Sequence, residues 1–187
     1  MRRALLVVVV IIVIIIGLAA VAVIRRGIST RVAPTASEVA IARAMRHLAI
    51  PANARGMRNP VPNTPQVVAE ARAHFADHCA ECHANDGSGR TEIGQSLYPR
   101  APDMRAAATQ TLSDGELFYV IKNGVRLTGM PAWGSDRDDA DSWKLVRFIR
   151  HLPSMTPVEI ESMKALNPIS RLEAQEKREE DEFLEGH

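Results

Sequence analysis

The chain's only two cysteines stand three positions apart, and a histidine follows the second at once: Cys79-Ala80-Glu81-Cys82-His83. A few residues of backbone therefore carry two thiols and an imidazole. That trio suits covalent attachment of haem, because the thiols add to the two vinyl groups as thioethers while the next imidazole ligates iron from the proximal side. Other uses lack partners. A structural zinc site needs four ligands, and no further cysteine exists to complete it. Thioredoxin-type chemistry expects a βαβ setting, whereas the surroundings read as helical. A plain disulfide gives His83 no role. The cofactor expected is one covalent haem c, held by Cys79, Cys82 and His83, with His83 on the iron.

For the second axial position the sequence offers Met130, in a Gly129-Met130-Pro131 loop between two expected helices, where backbone can approach a haem face closely. Met104 and then His151 are its rivals. His74 and His78 stand four apart on a helix, a metal-binding spacing, but without named partners they read as solvent-facing. Trp133 could hydrogen-bond a propionate or bury its indole against the macrocycle. Arg100 and Arg126 are the basic residues nearest the expected haem loops and could pair with a propionate.

At the N-terminus, Met1-Arg2-Arg3 precedes an apolar run from Ala4 to Ile24 that Arg25-Arg26 closes. As a helix these residues would span roughly 31 Å, the thickness of a bilayer's hydrocarbon core. Ala20-Val21-Ala22 could serve as a signal cleavage site, but a signal's apolar core is usually shorter, so the run reads as a single transmembrane anchor. Arginines flank both ends and leave the orientation open. Up to Arg58 there are nine arginines against one acid, Glu38, whereas Ser170 to His187 carries seven acids against three bases. The basic residues thus precede the folded domain instead of lining it, which argues against nucleic-acid binding.

Local signals divide the remainder. Thr35 with Glu38 is a capping box for a helix over 36–49, ended by Pro51. Pro51 to Pro65 holds four prolines and reads as a wrapping or linking segment. Thr64-Pro65 opens a helix that runs into the cysteines, and Ser113 with Glu116 opens another that Gly124 ends. Asp138, Asp139 and Asp141 start a helix bearing Trp143, Val146, Ile149 and Leu152, which stops before Pro153. Thr156-Pro157-Val158-Glu159 begins a short helix, and Ser170 to Glu173 a charged one. No alternating strand stands out.

The run Cys79 to Gly89, then Tyr98-Pro99, Ala101-Pro102-Asp103-Met104 and Thr128-Gly129-Met130-Pro131-Ala132-Trp133, resembles the class I cytochrome c domains that hold one haem, over roughly 65–157. The resemblance implies an all-α fold: a small helical domain around one haem, here preceded by a single transmembrane helix. It implies that the first and last helices cross, with Phe75 meeting Trp143 or Val146. It makes His83 the proximal and Met130 the distal ligand, and it places a proline carbonyl, of Pro99 or Pro102, at the proximal imidazole. Many members have glycine where this chain has Ala84, which puts only local packing in question.

The domains expected are thus an anchor over 1–26, a linker with a short helix over 27–64, the cytochrome c domain over 65–157 and a charged helical tail over 158–187. The function expected is a membrane-anchored c-type cytochrome that passes single electrons, because histidine and methionine together leave iron no site for substrate. It would be a carrier, not an enzyme, with no catalytic residue. The alternatives are a haem-based sensor, in which Met130 gives way to a ligand, and a haem subunit of a larger oxidoreductase complex. The partners expected are a redox protein, with a respiratory complex among the candidates, and the membrane. The haem domain would face the periplasm.

Overall fold

The computed structural model describes residues 2–27, 29–134, 139–168 and 183. These residues are helical with no strand among them, so the all-α expectation holds. The chain divides into two units, residues 1–33 and residues 34–187. The first is helix α1, Arg2–Arg26, whose stretch Leu5–Arg25 is long and apolar enough to cross a membrane.

The second unit begins with α2, Ala36–Ala49, capped by Thr35 and Glu38 in the expected reciprocal box. A four-residue helix, α3 (Ala52–Arg55), interrupts the proline-rich segment. Helix α4, Pro65–His78, starts on the Thr64 side chain and Pro65, because a cap supplies an acceptor that the first turn lacks and proline forfeits no helical bond there. Short turns follow: α5 (Ala80–His83), α6 (Glu92–Ser96) and α7 (Ala107–Gln110). Helix α8, Asp114–Asn123, runs from the Ser113–Glu116 box to Gly124, and α9 spans Ala140–His151. Helix α10, Pro157–Ser162, opens on the Thr156–Glu159 box, and 3-10 turns cover Leu152–Ser154 and Met163–Leu166. Asp138 and the helix expected from Ser170 to Glu173 lie outside the described residues.

Helices α4 and α9 pack on each other and carry the core. Trp143, Val146, Ile149 and Leu152 are all buried, so the three-residue spacing marks the inward face of α9. Phe75 meets the ring of Phe148, at 5.0 Å between centroids, in the buried cluster that also holds Trp143 and Val146. Trp143 is already stacked on Phe118 of α8, 4.0 Å away and nearly parallel. Met163, within the stretch expected as charged tail, is fully buried against this core.

The proline-rich segment is bonded to α9 and to the cap of α8. Arg147 of α9 donates from Nε to the Val61 carbonyl at 2.9 Å, and Asn59 donates to the Trp143 carbonyl at 2.9 Å. Ser113 Oγ donates to the Arg55 carbonyl at 2.8 Å.

Candidate haem site

Helix α4 delivers the cysteines. Its last turn ends at Cys79, whose N–H donates to the Phe75 carbonyl at 2.8 Å, and the Cys79 carbonyl then accepts from the His83 N–H at 2.9 Å. Cys79, Cys82 and His83 therefore sit on the single turn α5 and its cap. Both thiols are free, and burial pushes that of Cys79 up to about 12.

His83 is buried, with 7 % of its surface exposed. Burial pushes its pKa down to about 4, opposed by the Pro102 carbonyl at the ring, so the imidazole is neutral at neutral pH. Its Nδ1 is enclosed without a well-formed hydrogen bond. Metal ligation needs a neutral imidazole, and an enclosed Nδ1 facing a carbonyl is how a ligating histidine is oriented. Of the two eligible prolines, Pro102 is the one that acts on His83. Two unpaired thiols beside a buried neutral imidazole are the donor set haem c requires.

The surrounding loops hold this turn by contacts the sequence does not announce. Thr91 Oγ1 donates to the Cys82 carbonyl at 3.2 Å and accepts from the Gly94 N–H at 2.9 Å, which caps α6. Gly94 lies so close to the Cys82 carbonyl that any side chain would strike it. Arg105 ties the loop after His83 to the loop bearing Pro102, donating to Asp86 and to Asp103 at 2.8 Å each. Asp86 also accepts from the Ser88 N–H, an Asx turn visible in Asp86-Gly87-Ser88, whereas the reach of Arg105 is a tertiary fact.

Met130 is half-buried in a loop closed on itself. Its carbonyl accepts from the Val125 N–H at 3.0 Å and its N–H donates to Thr128 Oγ1 at 3.1 Å. Gly129 packs on Leu97, where a Cβ would come within 2.6 Å of the leucine side chain. Leu97 directly follows α6, so the Met130 loop leans on the segment that leans on Cys82.

The rival ligands sit in other surroundings. Met104 is part of the core, and its carbonyl accepts from Gln110 at 2.7 Å. His151 Nε2 lies 3.0 Å from a Glu159 oxygen. His78 is exposed as expected and meets the Trp133 ring edge-on at 5.4 Å, but His74 is half-buried because α4 turns it toward Asp141 and Lys144. No group of three or more histidine, cysteine, aspartate or glutamate side chains among the described residues is placed to hold a metal. Trp133 is 39 % exposed. Arg100 and Arg126 are exposed and make no ion pair with a described residue.

Comparison with known proteins bears on this geometry. Residues 66–149 match the family model of cytochrome c oxidase, cbb3-type, subunit III. The matched stretch carries Cys79, Cys82, His83 and Met130. The cbb3-type cytochrome c oxidase subunit FixP of Sinorhizobium medicae is 32 % identical over 96 residues, covering 49 % of this chain and 29 % of its own. FixPc of Rhizobium leguminosarum is 31 % identical over 98 residues, covering 52 % and 31 %. The chain thus spans about three-tenths of the length of the curated relatives it matches.

Proposed function

We propose that this chain is a membrane-anchored cytochrome c that carries single electrons through one covalently bound haem, as a subunit of a respiratory oxidase complex. The observation that carries the reading is His83, buried and neutral on the same turn as two free thiols, within a cytochrome c domain. Haem bound there supplies a one-electron iron couple. Cys79 and Cys82 would hold it by thioethers, and His83 and Met130 would ligate its iron. The Pro102 carbonyl at the ring would accept the Nδ1 proton of His83 once haem is held, fixing the tautomer and leaving Nε2 for the metal. Enclosure of His83 keeps water from its ring, and the closed loop 125–130 keeps Met130 in place. With both axial positions held by the protein, no catalytic residue is called for. The relatives are oxidase subunits by name, which supports a redox protein of a respiratory complex as partner. The haem domain belongs on the periplasmic side, where haem is joined to this motif in bacteria.

Replacing Met130 tests the assignment. Reduced wild-type protein should be low-spin and bind carbon monoxide poorly, because the incoming ligand must displace a sulfur that the loop holds. Met130→Ala should keep its haem on denaturing gels, become high-spin or take an external ligand, bind carbon monoxide readily and show a lower potential, since thioether favours reduced iron. Met104→Ala should change none of these. Rapid, stoichiometric carbon monoxide binding by wild type would overturn the carrier and favour the sensor.

A further inference from the structure

Helix α2 turns its apolar side away from the domain to which it is attached. Ile41, Met45 and Leu48 are 59, 65 and 79 % exposed, and no residue of the helix is buried. At 3.6 residues per turn these three fall within about 60° of one another, a coherent stripe. The opposite side meets the protein: Arg46 is half-buried, His47 Nδ1 lies 3.1 Å from Glu116, and the cap residue Ile50 is 3 % exposed. An apolar stripe ordinarily faces its own core. Leaving this one in water would forgo roughly 1.5–3 kcal/mol for each large side chain.

Two features say what covers it. Residues 27–35 alone separate α2 from the candidate span, and fully extended they reach on the order of 30 Å, so α2 cannot leave the vicinity of a membrane that α1 crosses. Between Gly27 and Arg58 there are also five arginines against one acid, Glu38. An amphipathic helix with arginine on its polar side and aliphatic residues on the other is the sort that lies in the plane of an anionic bilayer.

We propose that α2 lies in the interface of an anionic lipid bilayer, with Ile41, Met45 and Leu48 in the acyl boundary and the haem-bearing domain mounted on its polar side. The proposal rests on α1 spanning that bilayer. Its test uses the full haem-loaded chain in vesicles of phosphatidylcholine with phosphatidylglycerol, with a nitroxide-labelled cysteine placed in turn at Ile41, Met45, Leu48 and, facing the other way, Arg43. Haem content and absorbance identify variants that have folded. Labels at the first three positions should collide several-fold more with oxygen and several-fold less with a water-soluble nickel chelate than the label at Arg43. That contrast should shrink in phosphatidylcholine alone.

Labels at 41, 45 and 48 as open to the chelate as the label at 43 would overturn the proposal. So would a contrast indifferent to phosphatidylglycerol, one that grows with protein-to-lipid ratio and so marks a second copy, or one that needs added oxidase subunits. Release of the chain from the vesicles by carbonate would instead sink the anchor, a result distinct from retained protein with wet labels.

Discussion

Ala84 holds φ +61° and ψ 158°, a region that glycine occupies freely and other residues enter at a cost of about 1–3 kcal/mol. It is kept there from both sides, its N–H donating to the Ala80 carbonyl at 2.8 Å and its carbonyl accepting from the Gly87 N–H at 3.0 Å. The methyl group's cost therefore falls on the backbone of the residue that follows His83, and not only on packing. Ala84→Gly should stabilise the haem-loaded protein by about 1 kcal/mol, net of glycine's greater loss of freedom, seen as a higher midpoint of thermal unfolding. A lower midpoint would mean that the methyl packs usefully. At this scale the donor set of Cys79, Cys82 and His83 was legible because its spacing is local. The choice of Pro102 over Pro99 was not, since both stand at similar distances along the chain and only the fold brings one to the ring. Thr91, Gly94 and Arg105 were illegible for the same reason: each acts across a loop on a residue that its own neighbours do not name.

Helix starts were read well, because a cap is a bargain among four adjacent residues. Thr35–Glu38, Thr64–Pro65, Ser113–Glu116 and Thr156–Glu159 each open a helix as their sequence implies. Helices α3, α6 and α7, of four or five residues, had no such legibility, since so short a turn is sustained by what it packs against. The cap of α10 also carries a pH dependence. The Thr156 backbone N–H, then His151, hold the Glu159 carboxyl at about 2, below the usual carboxylate range. A carboxyl depressed on folding contributes its stability in full above the ordinary value near 4.5 and loses it as pH falls toward about 2. Wild type should therefore lose stability over that window relative to Glu159→Gln, measured by urea unfolding at each pH. Parallel curves for the two proteins would refute the linkage. At the box of α8, burial of Glu116 is outweighed by the Ser113 N–H and by His47, which keep its carboxyl low. Glu116→Ala should cost about 1–3 kcal/mol in the same assay, because it strips a buried acceptor from the Ser113 N–H.

For the molecule as a whole, the anchor makes the plainest expectation. The protein should remain in the membrane pellet after high-salt and carbonate washes, with residues beyond Ile24 open to protease from the outer side. A soluble form beginning near Val23 would mark the segment as a cleaved signal instead. Hydropathy makes such a span readable from sequence, since length and composition suffice. What periodicity could not reveal is the direction in which a stripe points. Ile41, Met45 and Leu48 give α2 the pattern of any core-facing helix, and only the contacts of His47 and Ile50 show that the core is behind it. Those same contacts settle how a mechanical load would enter the domain. A pull along residues 27–35 meets its first distant fastening where His47 faces Glu116, then Ser113 at Arg55, then the Asn59–Val61 clasp on α9. Tension along the linker is thereby shared between α8 and α9 before it reaches the turn that carries Cys79, Cys82 and His83.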